Sequence, residues 1–452
     1  MDKVYFIGIG GIGMSALARY FKAKGYDVQG YDRTETALTH TLVDEGIAVH
    51  YTDSTDAIPP SYKENKENVL VIYTPAVPAF HSEMSWFRRN EYRMMKRSQV
   101  LGMISEAKKT IAVAGTHGKT SVSAMTSFLL TETGIGCDAF LGGISRNYQT
   151  NLLLCPDSPY TVAEADEYDR SFLWLHPYIA VVTAMDADHL DIYGTHKELK
   201  KAFGQFVSQI TADGCLIVKY GLDVAVPADV RKYTYALDNP QADFYARNIR
   251  CHDGMYHAEL CCPEGVVPFR ANILGRVNME NSVAAMATSC VAGASMPDLA
   301  HFMEAFAGVQ RRFDYRVKRN DRVYIDDYGH HPEELRYTIQ SVRELYPEKQ
   351  ITGIFQPHLY TRTRDFAEGF AQSLSMLDKL ILLDIYPARE EPIPGISSQI
   401  IFDRVTIPHK QMCRMEDVIG ILSANPPEVL LTMGAGDIDT LVAPVENLLK
   451  CL

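Results

Sequence analysis

The segment 110–121, which reads Thr-Ile-Ala-Val-Ala-Gly-Thr-His-Gly-Lys-Thr-Ser, constrains the fold more than any other part of the chain. Its apolar residues at 111–114 predict a buried strand, its glycines predict a tight turn, and 121–133 predict a helix that ends at Gly134. This order aims bare backbone N–H groups and the positive end of a helix dipole at an anion. The segment therefore predicts an α/β domain that holds a triphosphate.

The side chains of this loop suit ATP and magnesium. Lys119 would add positive charge at the phosphates, and the Thr120 hydroxyl is able to ligate magnesium. The spacing differs from that of the general P-loop, which would have glycine at Val113. The shorter form of the loop occurs in a narrower set of proteins. The alternative is a helix entered through a glycine turn with an exposed lysine. We predict that ATP contacts Gly115, Thr116, His117, Gly118, Lys119, Thr120 and Ser121.

Length and composition exclude several classes of function. A chain of 452 residues exceeds one ordinary core, so we expect two to four domains. The 56 acidic and 44 basic residues give a formal charge of −12, which argues against nucleic acid or an anionic membrane as the partner. Nine scattered cysteines without a C-x-x-C pair indicate a reducing environment, and no apolar run is long enough to span a bilayer. We expect a cytoplasmic protein that is a monomer or a weak homodimer.

Three blocks follow one another, and each opens on a predicted strand. The blocks are 1–108, 109–307 and 308–452. Strands alternate with helical stretches in each block, which is typical of parallel α/β sheets, and we predict such a sheet for the third block. The pattern is weaker over 221–270, where we predict short strands and turns.

A second glycine-rich segment, Gly-Ile-Gly-Gly-Ile-Gly at 8–13, follows the predicted strand at 4–7. A predicted helix and a second strand, which ends near Asp32, complete a βαβ unit. The glycines fit the dinucleotide fingerprint, and Asp32 stands where a ribose hydroxyl would lie. The same physics binds any diphosphate, including that of a UDP-sugar. A nicotinamide enzyme with a separate triphosphate site would be unusual, so UDP is favoured over the alternative, NAD.

Two acidic segments follow predicted strands of the second block. The segment 164–169 reads Glu-Ala-Asp-Glu-Tyr-Asp, and 186–191 reads Asp-Ala-Asp-His-Leu-Asp. Carboxylates at the end of a strand beside a phosphate loop are where α/β enzymes hold magnesium or its water shell. We predict a magnesium site at the first segment and a second cation site, with His189 as a ligand, at the other. An acidic surface loop and a structural histidine are the alternatives.

Charged segments also mark the third block. Arg312 lies in Arg-Arg-Phe-Asp, where a phosphate clamp and a solvated basic turn are equal interpretations. Asp327 and His330 lie in Asp-Asp-Tyr-Gly-His-His-Pro at a strand end, and no further histidine or cysteine completes a zinc site there. Arg362 follows another predicted strand, where contact with a carboxylate or phosphate is the functional interpretation and a helix-terminal salt bridge is the alternative.

Together these segments resemble the Mur ligases over essentially the whole chain. The segments that carry the resemblance are 8–15, 115–120, 164–167, 188–191, 311–314, 326–332 and 360–365, with weaker support at 386–388 and 392–395. The phosphate loop alone would indicate only the wider class of ATP-dependent amide ligases, which includes the folylpolyglutamate synthases. The glycine motif and the double histidine resemble the alanine-adding members, and the arginine-rich segment favours these over the murein tripeptide recycling ligases.

The resemblance implies an α/β fold of three domains, which are an N-terminal Rossmann-like UDP-sugar domain, a central P-loop ATPase-type domain and a C-terminal Rossmann-like domain. It implies that L-alanine is joined to the lactyl carboxylate of UDP-N-acetylmuramate in peptidoglycan synthesis, with ATP and Mg²⁺ as cofactors. The carboxylate would attack the γ-phosphate to form an acyl phosphate, from which the amine of alanine displaces phosphate.

The resemblance also implies roles for single residues. The catalytic residues would be Lys119, His189, His330 and Arg362. The metal ligands would be Thr120, Glu164 and His189. Further ATP contacts would be Asn281, Arg312 and Asp327. The substrate contacts would be Gly10, Gly11, Gly13, Met14, Ser15, Asp32, His330 and Arg362.

The chain departs from the family pattern at two positions. Val277 stands where members often have histidine, and Leu359 stands where they often have arginine. Both changes remove a polar contact that the family would offer to the nucleotide or to a carboxylate. Two other functions compete with the ligase. An NAD-dependent oxidoreductase leaves the triphosphate loop unexplained, and a nucleotide-sensing switch would not release phosphate at catalytic rates.

Overall fold

The computed structural model describes residues 1–78, 80–186, 190–252, 255–273, 275–388 and 390–452. These residues form three β-sheets with helices attached to each, and they divide into two compact units. The first unit consists of Met1–Ile249, His257–Ala271 and Glu280–Ala307, and the second of Arg250–Tyr256, Asn272–Met279 and Gly308–Leu452. In the described part of the chain, no helix has both the length and the apolar character that crossing a membrane requires.

The N-terminal sheet has the doubly wound order of a Rossmann-like domain. Its strands are β1 (Lys3–Ile7), β2 (Asp27–Tyr31), β3 (Ala48–His50), β4 (Val69–Tyr73) and β5 (Arg93–Lys96). Its helices are α1 (Ile12–Ala23), α2 (Ala37–Asp44), α3 (Pro60–Lys63), α4 (Ser82–Arg89) and α5 (Arg97–Ser105). The described strands are parallel and lie in the order β3-β2-β1-β4-β5. The glycine loop after β1 therefore lies where the winding reverses, which is where such sheets bind ligands.

The central sheet places the triphosphate loop between the two acidic segments. Its strands are β6 (Lys109–Ala114), β7 (Asp138–Phe140), β8 (Leu152–Leu153), β9 (Tyr160–Ala165), β10 (Ile179–Val182), β11 (Cys215–Lys219), β12 (Arg231–Leu237), β13 (Phe244–His252), β14 (Met255–Cys262) and β15 (Gly265–Ala271). Its helices are α6 (Lys119–Glu132), α7 (Leu190–Tyr193), α8 (His196–Ser208), α9 (Arg276–Val291) and α10 (Met296–Met303). Strand β6 pairs in parallel with β9 on one side and with β10 on the other. The three carboxyl ends therefore share one edge.

The weak pattern over 221–270 hides regular strands. We predicted short strands and turns there, but β12 to β15 each have seven to nine residues and extend the central sheet to one edge. Strand β13 ends in a run of mostly exposed residues, so the alternation that identifies a half-buried strand is lost over much of its length. The prediction of short strands and turns was therefore wrong for this segment, because the alternation of buried and exposed residues was not clear in the sequence.

The C-terminal sheet departs from the predicted parallel arrangement at one edge. Its strands are β16 (Asp314–Lys318), β17 (Val323–Asp327), β18 (Ile351–Phe355), β19 (Lys379–Leu382), β20 (Lys410–Met412) and β21 (Val429–Met433). Its helices are α11 (Pro332–Leu345), α12 (Tyr360–Asp365), α13 (Ala367–Leu374), α14 (Gln399–Phe402), α15 (Val418–Ala424) and α16 (Val442–Cys451). The described strands lie in the order β16-β17-β21-β18-β19-β20. The edge strand β16 is antiparallel to β17, so the expectation of a wholly parallel sheet is corrected.

Helix α5 packs so closely on the 3₁₀ helix Tyr168–Trp174 that glycine is required at position 102. A Cβ added to Gly102 would lie 2.4 Å from the backbone carbonyl oxygen of Trp174, which cannot turn away as a side chain would. We expect Gly102→Ala to lower the free energy of unfolding by about 1–3 kcal/mol in a urea titration, because the two helices must separate.

The matched control is Gly420→Ala in helix α15, where an added Cβ would meet no atom within 4 Å. There the substitution improves helix propensity and creates no clash, so stability should rise by up to about 1 kcal/mol. Equal gains at both positions would contradict the close packing at Gly102.

Candidate active site

The triphosphate loop joins β6 to α6 through two glycines that no other residue could replace. Gly115 has a φ of 141°, and a Cβ there would lie 2.0 Å from the Thr183 hydroxyl oxygen. Gly118 has a φ of 85°, and a Cβ there would lie 2.9 Å from Oδ1 of Asn281. The loop is thus pressed against the end of β10 and against helix α9, and the predicted ATP contact Asn281 faces it directly.

Lys119 opens helix α6 and folds back over the loop. Its Nζ donates to the backbone oxygen of Gly115 at 2.7 Å and to Oε2 of Glu167 at 2.7 Å. Burial alone would lower the pKa of Lys119, but the carboxylates of Glu167 and Asp166 outweigh it and raise the pKa. The ammonium therefore stays charged at the loop, where the first turn of α6 also leaves backbone N–H groups without intrahelical partners.

Glu164 and Thr120 present hard oxygen ligands on the other side of the loop. The Thr120 hydroxyl donates to Oε2 of Glu164 at 3.2 Å, while Oε1 accepts from the amide of Gly142 at 2.7 Å and from Ser123 at 3.3 Å. A hydroxyl next to an oriented carboxylate suits Mg²⁺, which keeps waters and phosphate oxygens as its remaining ligands. Among the described residues, no group of three or more histidine, cysteine, aspartate or glutamate side chains forms a protein-only metal site.

The second acidic segment contributes one described side chain to this edge. Nε2 of His117 lies 3.1 Å from Oδ2 of Asp186, and the amide of Asp186 donates to the Thr116 hydroxyl at 3.2 Å. The predicted ligand His189 lies outside the described residues, as does its neighbour Asp188. The proposed second cation site therefore stays a prediction.

Asp32 holds the N-terminal glycine loop in place. Its Oδ2 accepts from the amide of Gly10 at 2.7 Å, and its Oδ1 accepts from the amide of Thr34 at 3.0 Å. A Cβ at Gly10 would lie 2.7 Å from the Thr39 methyl carbon and 2.8 Å from Asp32. Both carboxylate oxygens thus accept hydrogen bonds from backbone amides. A contact of Asp32 with ribose stays a prediction.

Gly11 and Gly13 of this loop differ in what surrounds them. Gly11 has ordinary space, because an added Cβ would come no closer than 3.7 Å to another atom. Gly13 lies against Arg97, whose Nη1 would be 2.8 Å from a Cβ at this position. A side chain at 13 would therefore displace the Arg97 side chain, whereas the folded chain has room for one at 11.

Met14 and Ser15 anchor the start of α1. The Met14 side chain is buried in the core of the first unit, and the Ser15 hydroxyl donates to the backbone oxygen of Ile12 at 2.9 Å. The fully buried amide of Asn151 donates to the same oxygen at 2.7 Å and to Ser15 at 2.9 Å, while its own oxygen accepts from Arg19. No sequence motif marks Asn151, which ties the start of α1 to the central part of the first unit. Contact of Met14 or Ser15 with a substrate stays a prediction.

The second unit gathers its predicted residues at the end of β17. Oδ2 of Asp327 accepts from the amide of Phe313 at 2.7 Å, and Oδ1 accepts from the amide of Gly329 at 2.8 Å. Burial raises the pKa of Asp327 to about 6, although the Arg312 guanidinium opposes that shift. Arg312 itself lies 5.0 Å from the ring centroid of Tyr328. Asp327 thus shapes the turn that presents Arg312.

His330 is a neutral base in this unit. Burial is the main cause that lowers the pKa of His330 to about 4, and the Arg362 charge lowers it further, while Glu334 opposes the shift. Its Nδ1 lies 3.1 Å from the backbone oxygen of Tyr328. Leu359, which stands where the family often has arginine, is buried and has a φ of 69°, so a strained backbone precedes the helix that carries Arg362.

Besides Asn151, sequence reasoning missed three further side chains around these sites. Glu167 lies in the predicted acidic segment, but only the structure identifies it as the buried partner of Lys119. Glu334 lies three residues after His331 at the start of a helix and completes a capping box there. That spacing is a sequence signal that could have identified it. Arg97 directly follows β5 at the edge where the glycine loop lies, and recognition of that short strand would have drawn attention to it.

Three family models match successive parts of the chain. The model of the Mur ligase family catalytic domain matches residues 3–109, that of the Mur ligase middle domain matches 113–289, and that of the Mur ligase glutamate ligase domain matches 311–436. Together they cover most of the described sheets.

Curated relatives and a solved structure match over the full length. The UDP-N-acetylmuramate--L-alanine ligase of Parabacteroides distasonis is 53% identical over 452 residues, which cover 99% of this chain and 97% of that protein. The ligase of the same name from Porphyromonas gingivalis is 48% identical over 456 residues, with 100% of both chains covered. The crystal structure of the UDP-N-acetylmuramate-alanine ligase from Thermotoga maritima has a TM-score of 0.83 at 25% identity and covers 100% of both chains.

Proposed function

The chain belongs to the Mur ligase family, and from this premise we propose that it joins L-alanine to the lactyl carboxylate of UDP-N-acetylmuramate in peptidoglycan precursor synthesis. The reaction is ATP-dependent, as it is throughout the family. The observation that carries the proposal is the charged Lys119 in a triphosphate loop whose carboxyl edge also holds Glu164. Relatives that bear the name of this activity support it over the full length of the chain.

The chemistry divides between two steps that these residues suit. In the first, a lactyl carboxylate oxygen attacks the γ-phosphorus of ATP, ADP leaves, and an acyl phosphate forms. In the second, the alanine amine attacks the acyl carbon, inorganic phosphate leaves, and the amine loses a proton to give the amide. Lys119 and the amides at the start of α6 would stabilise the charge that moves onto the β,γ-bridging oxygen in the first step.

The residues present fit magnesium at the ATP loop. Thr120 and Glu164 would hold the ion, since their oxygens lie 3.2 Å apart and Gly142 orients the carboxylate. When bound, the ion neutralises negative charge on the phosphates. His189 as ligand of a second ion remains part of the proposal. The same holds for Asn281, Arg312 and Asp327 as ATP contacts and for His330 and Arg362 near the substrates.

We expect Glu164→Ala to raise the magnesium concentration at half-maximal activity by about 10- to 100-fold and to depress phosphate release, because an ion ligand is lost. His189→Ala should act in the same direction. The measurement is a magnesium titration of phosphate release at saturating ATP.

Asp157→Ala is the control for the loss of a carboxylate, because this side chain is exposed and lies at the loop before β9, away from the carboxyl edge. Its magnesium titration should match that of the parent. If Glu164→Ala and His189→Ala also match the parent, neither residue is a metal ligand.

The proposed reaction also fixes the expected setting. UDP-sugars and ATP are cytoplasmic substrates, so we place the protein in the cytoplasm, with a monomer or weak homodimer as the expected state.

The decisive experiment is phosphate release from ATP and magnesium with UDP-N-acetylmuramate and a panel of amino acids. Release that depends on both the UDP-sugar and L-alanine supports the ligase. A change in nicotinamide absorbance without phosphate release would instead support the oxidoreductase, and binding without turnover would support the nucleotide-sensing switch.

A further inference from the structure

Arg97 lies against the N-terminal glycine loop. It begins α5 directly after β5, at the carboxyl edge of the sheet that also carries the loop after β1. A Cβ at Gly13 would be 2.8 Å from Nη1 of Arg97 and 3.2 Å from its Cδ. The arginine side chain therefore runs across the first turn of α1, where the helix dipole and the unbonded amides favour an anion.

The donors of this guanidinium are unused. Among the hydrogen bonds of the described residues, Arg97 donates none, and its ion-pair partner is Asp166, with Nη2 and Oδ2 at 3.6 Å. The Arg97 side chain is only 24% exposed. A guanidinium has five N–H donors in a planar fork that matches the oxygens of a phosphate. These donors are therefore available to the oxygens of an anion at the start of α1.

The carboxylate beside Arg97 belongs to the ATP-site segment of the same compact unit. Asp166 lies in 164–169, the segment that also contains Glu164 and the Lys119 partner Glu167. Its neighbour Asp169 pairs with Lys96, with Nζ and Oδ2 at 3.0 Å. Two adjacent cations of the UDP-sugar domain thus contact the acidic segment of the central domain, but the Lys96 pair is hydrogen-bonded and the Arg97 pair is not.

We propose that Arg97 binds the diphosphate of the UDP-sugar and leaves Asp166 when it does so. This inference rests on the proposed function and adds a specificity-determining residue to it. A diphosphate at the start of α1 offers several oxygens at hydrogen-bonding distance, whereas Asp166 offers one at 3.6 Å. The exchange leaves Asp166 with uncompensated negative charge beside Lys119 and the magnesium ligands. Occupation of the UDP-sugar site should therefore strengthen the binding of magnesium–ATP, and the reverse must hold by linkage.

The competing interpretation is that the Arg97–Asp166 ion pair only holds the two domains together, and the two interpretations predict opposite effects of Asp166→Asn. If the pair only joins the domains, loss of either partner should weaken UDP-sugar binding equally. If Asp166 instead competes with the diphosphate for Arg97, its neutralisation frees the arginine, and the UDP-sugar should bind as tightly as before or several-fold more tightly.

The test is calorimetric titration of the full chain with UDP-N-acetylmuramate, UDP and magnesium–ATP. For Arg97→Ala we expect affinity for both uridine nucleotides to fall about 10- to 100-fold, as for the loss of charge-assisted hydrogen bonds. Affinity for magnesium–ATP without UDP-sugar should rise to the value that the parent reaches only with UDP-sugar, because Asp166 is then already without Arg97. In the parent, the UDP-sugar should tighten magnesium–ATP binding, and Arg97→Ala should abolish that gain. Arg93→Ala, which removes the same charge from the exposed start of β5, is the control and should bind like the parent.

Each outcome decides between the interpretations. If the parent binds magnesium–ATP but not the UDP-sugar, the proposed function fails, and this inference fails with it. If the parent binds the UDP-sugar and Arg97→Ala binds it equally well, the inference alone is overturned. It is also overturned if Asp166→Asn weakens UDP-sugar binding as much as Arg97→Ala does. If Arg97→Ala does not fold, Arg97→Lys keeps the charge but not the fork, and it should show a smaller loss of affinity at an unchanged melting temperature.

Discussion

Replacing Lys119 by alanine is expected to lower kcat by a factor of about 10²–10³ or more while the UDP-sugar still binds, because the change removes charge aimed at the transferring phosphoryl group. The ammonium is held at the loop by the Gly115 carbonyl and Glu167 and stays protonated there. Steady-state phosphate release with saturating UDP-N-acetylmuramate, ATP and alanine measures the effect. Turnover equal to that of the parent would show that this loop is not the ATP site.

The same substitution leaves the fully buried Glu167 without its cation, which costs stability for a reason unrelated to catalysis. The double variant Lys119→Ala with Glu167→Gln removes that unpaired charge, so its melting temperature should recover towards the parent value while its kcat stays low. Lys201→Ala removes an equivalent charge from the exposed face of α8 and should leave kcat unchanged. These variants separate a loss of catalysis from a loss of folded protein.

The strands that carry the motifs were predictable because each is an apolar run bounded by turn residues. The apolar runs at 69–73 and 351–355 coincide with β4 and β18, and the strand before the triphosphate loop begins only two residues earlier than predicted. The short strands β3, β5 and β20 have three or four residues with partly exposed polar side chains, so no period could be recognised. Their place in the sheets depends on neighbours that are distant in the sequence.

The chemistry of the candidate site divides in the same way. The glycine loops and acidic strand ends were visible because each motif is contiguous, and the parallel pairing of β6 with β9 and β10 explains why they meet. The contacts of Asn151 with Ser15 and of Arg97 with Gly13 were not visible, because they join segments that only the packed fold brings together. The same is true of Asp32, whose hydrogen bonds to the loop backbone differ from the ribose contact that its position suggested.

In the glycine loop of the N-terminal domain, some glycines are required by the fold, and others would be required only by a ligand. A side chain at Gly10 would collide with Thr39 and Asp32, so loss of binding in a Gly10 variant would show nothing about a diphosphate. Gly11 instead has a φ of −65° and a ψ of 142°, which any residue adopts, and no atom within 3.7 Å of an added Cβ. Because the protein does not need glycine at position 11, a requirement for it there would reflect a ligand that approaches the backbone closely.

Gly11→Leu is therefore expected to raise KM for UDP-N-acetylmuramate on the order of 10²-fold, because the side chain blocks the diphosphate from the start of α1. KM for ATP should change little, since the triphosphate loop follows a strand of a different sheet. Gly420→Leu, at an open position in α15, is the matched control and should leave both constants unchanged. Calorimetric titration of the parent with UDP-N-acetylmuramate, UDP and NAD completes the test. Micromolar binding of NAD without binding of the UDP-sugar would overturn the assignment of this domain, whatever the triphosphate loop does.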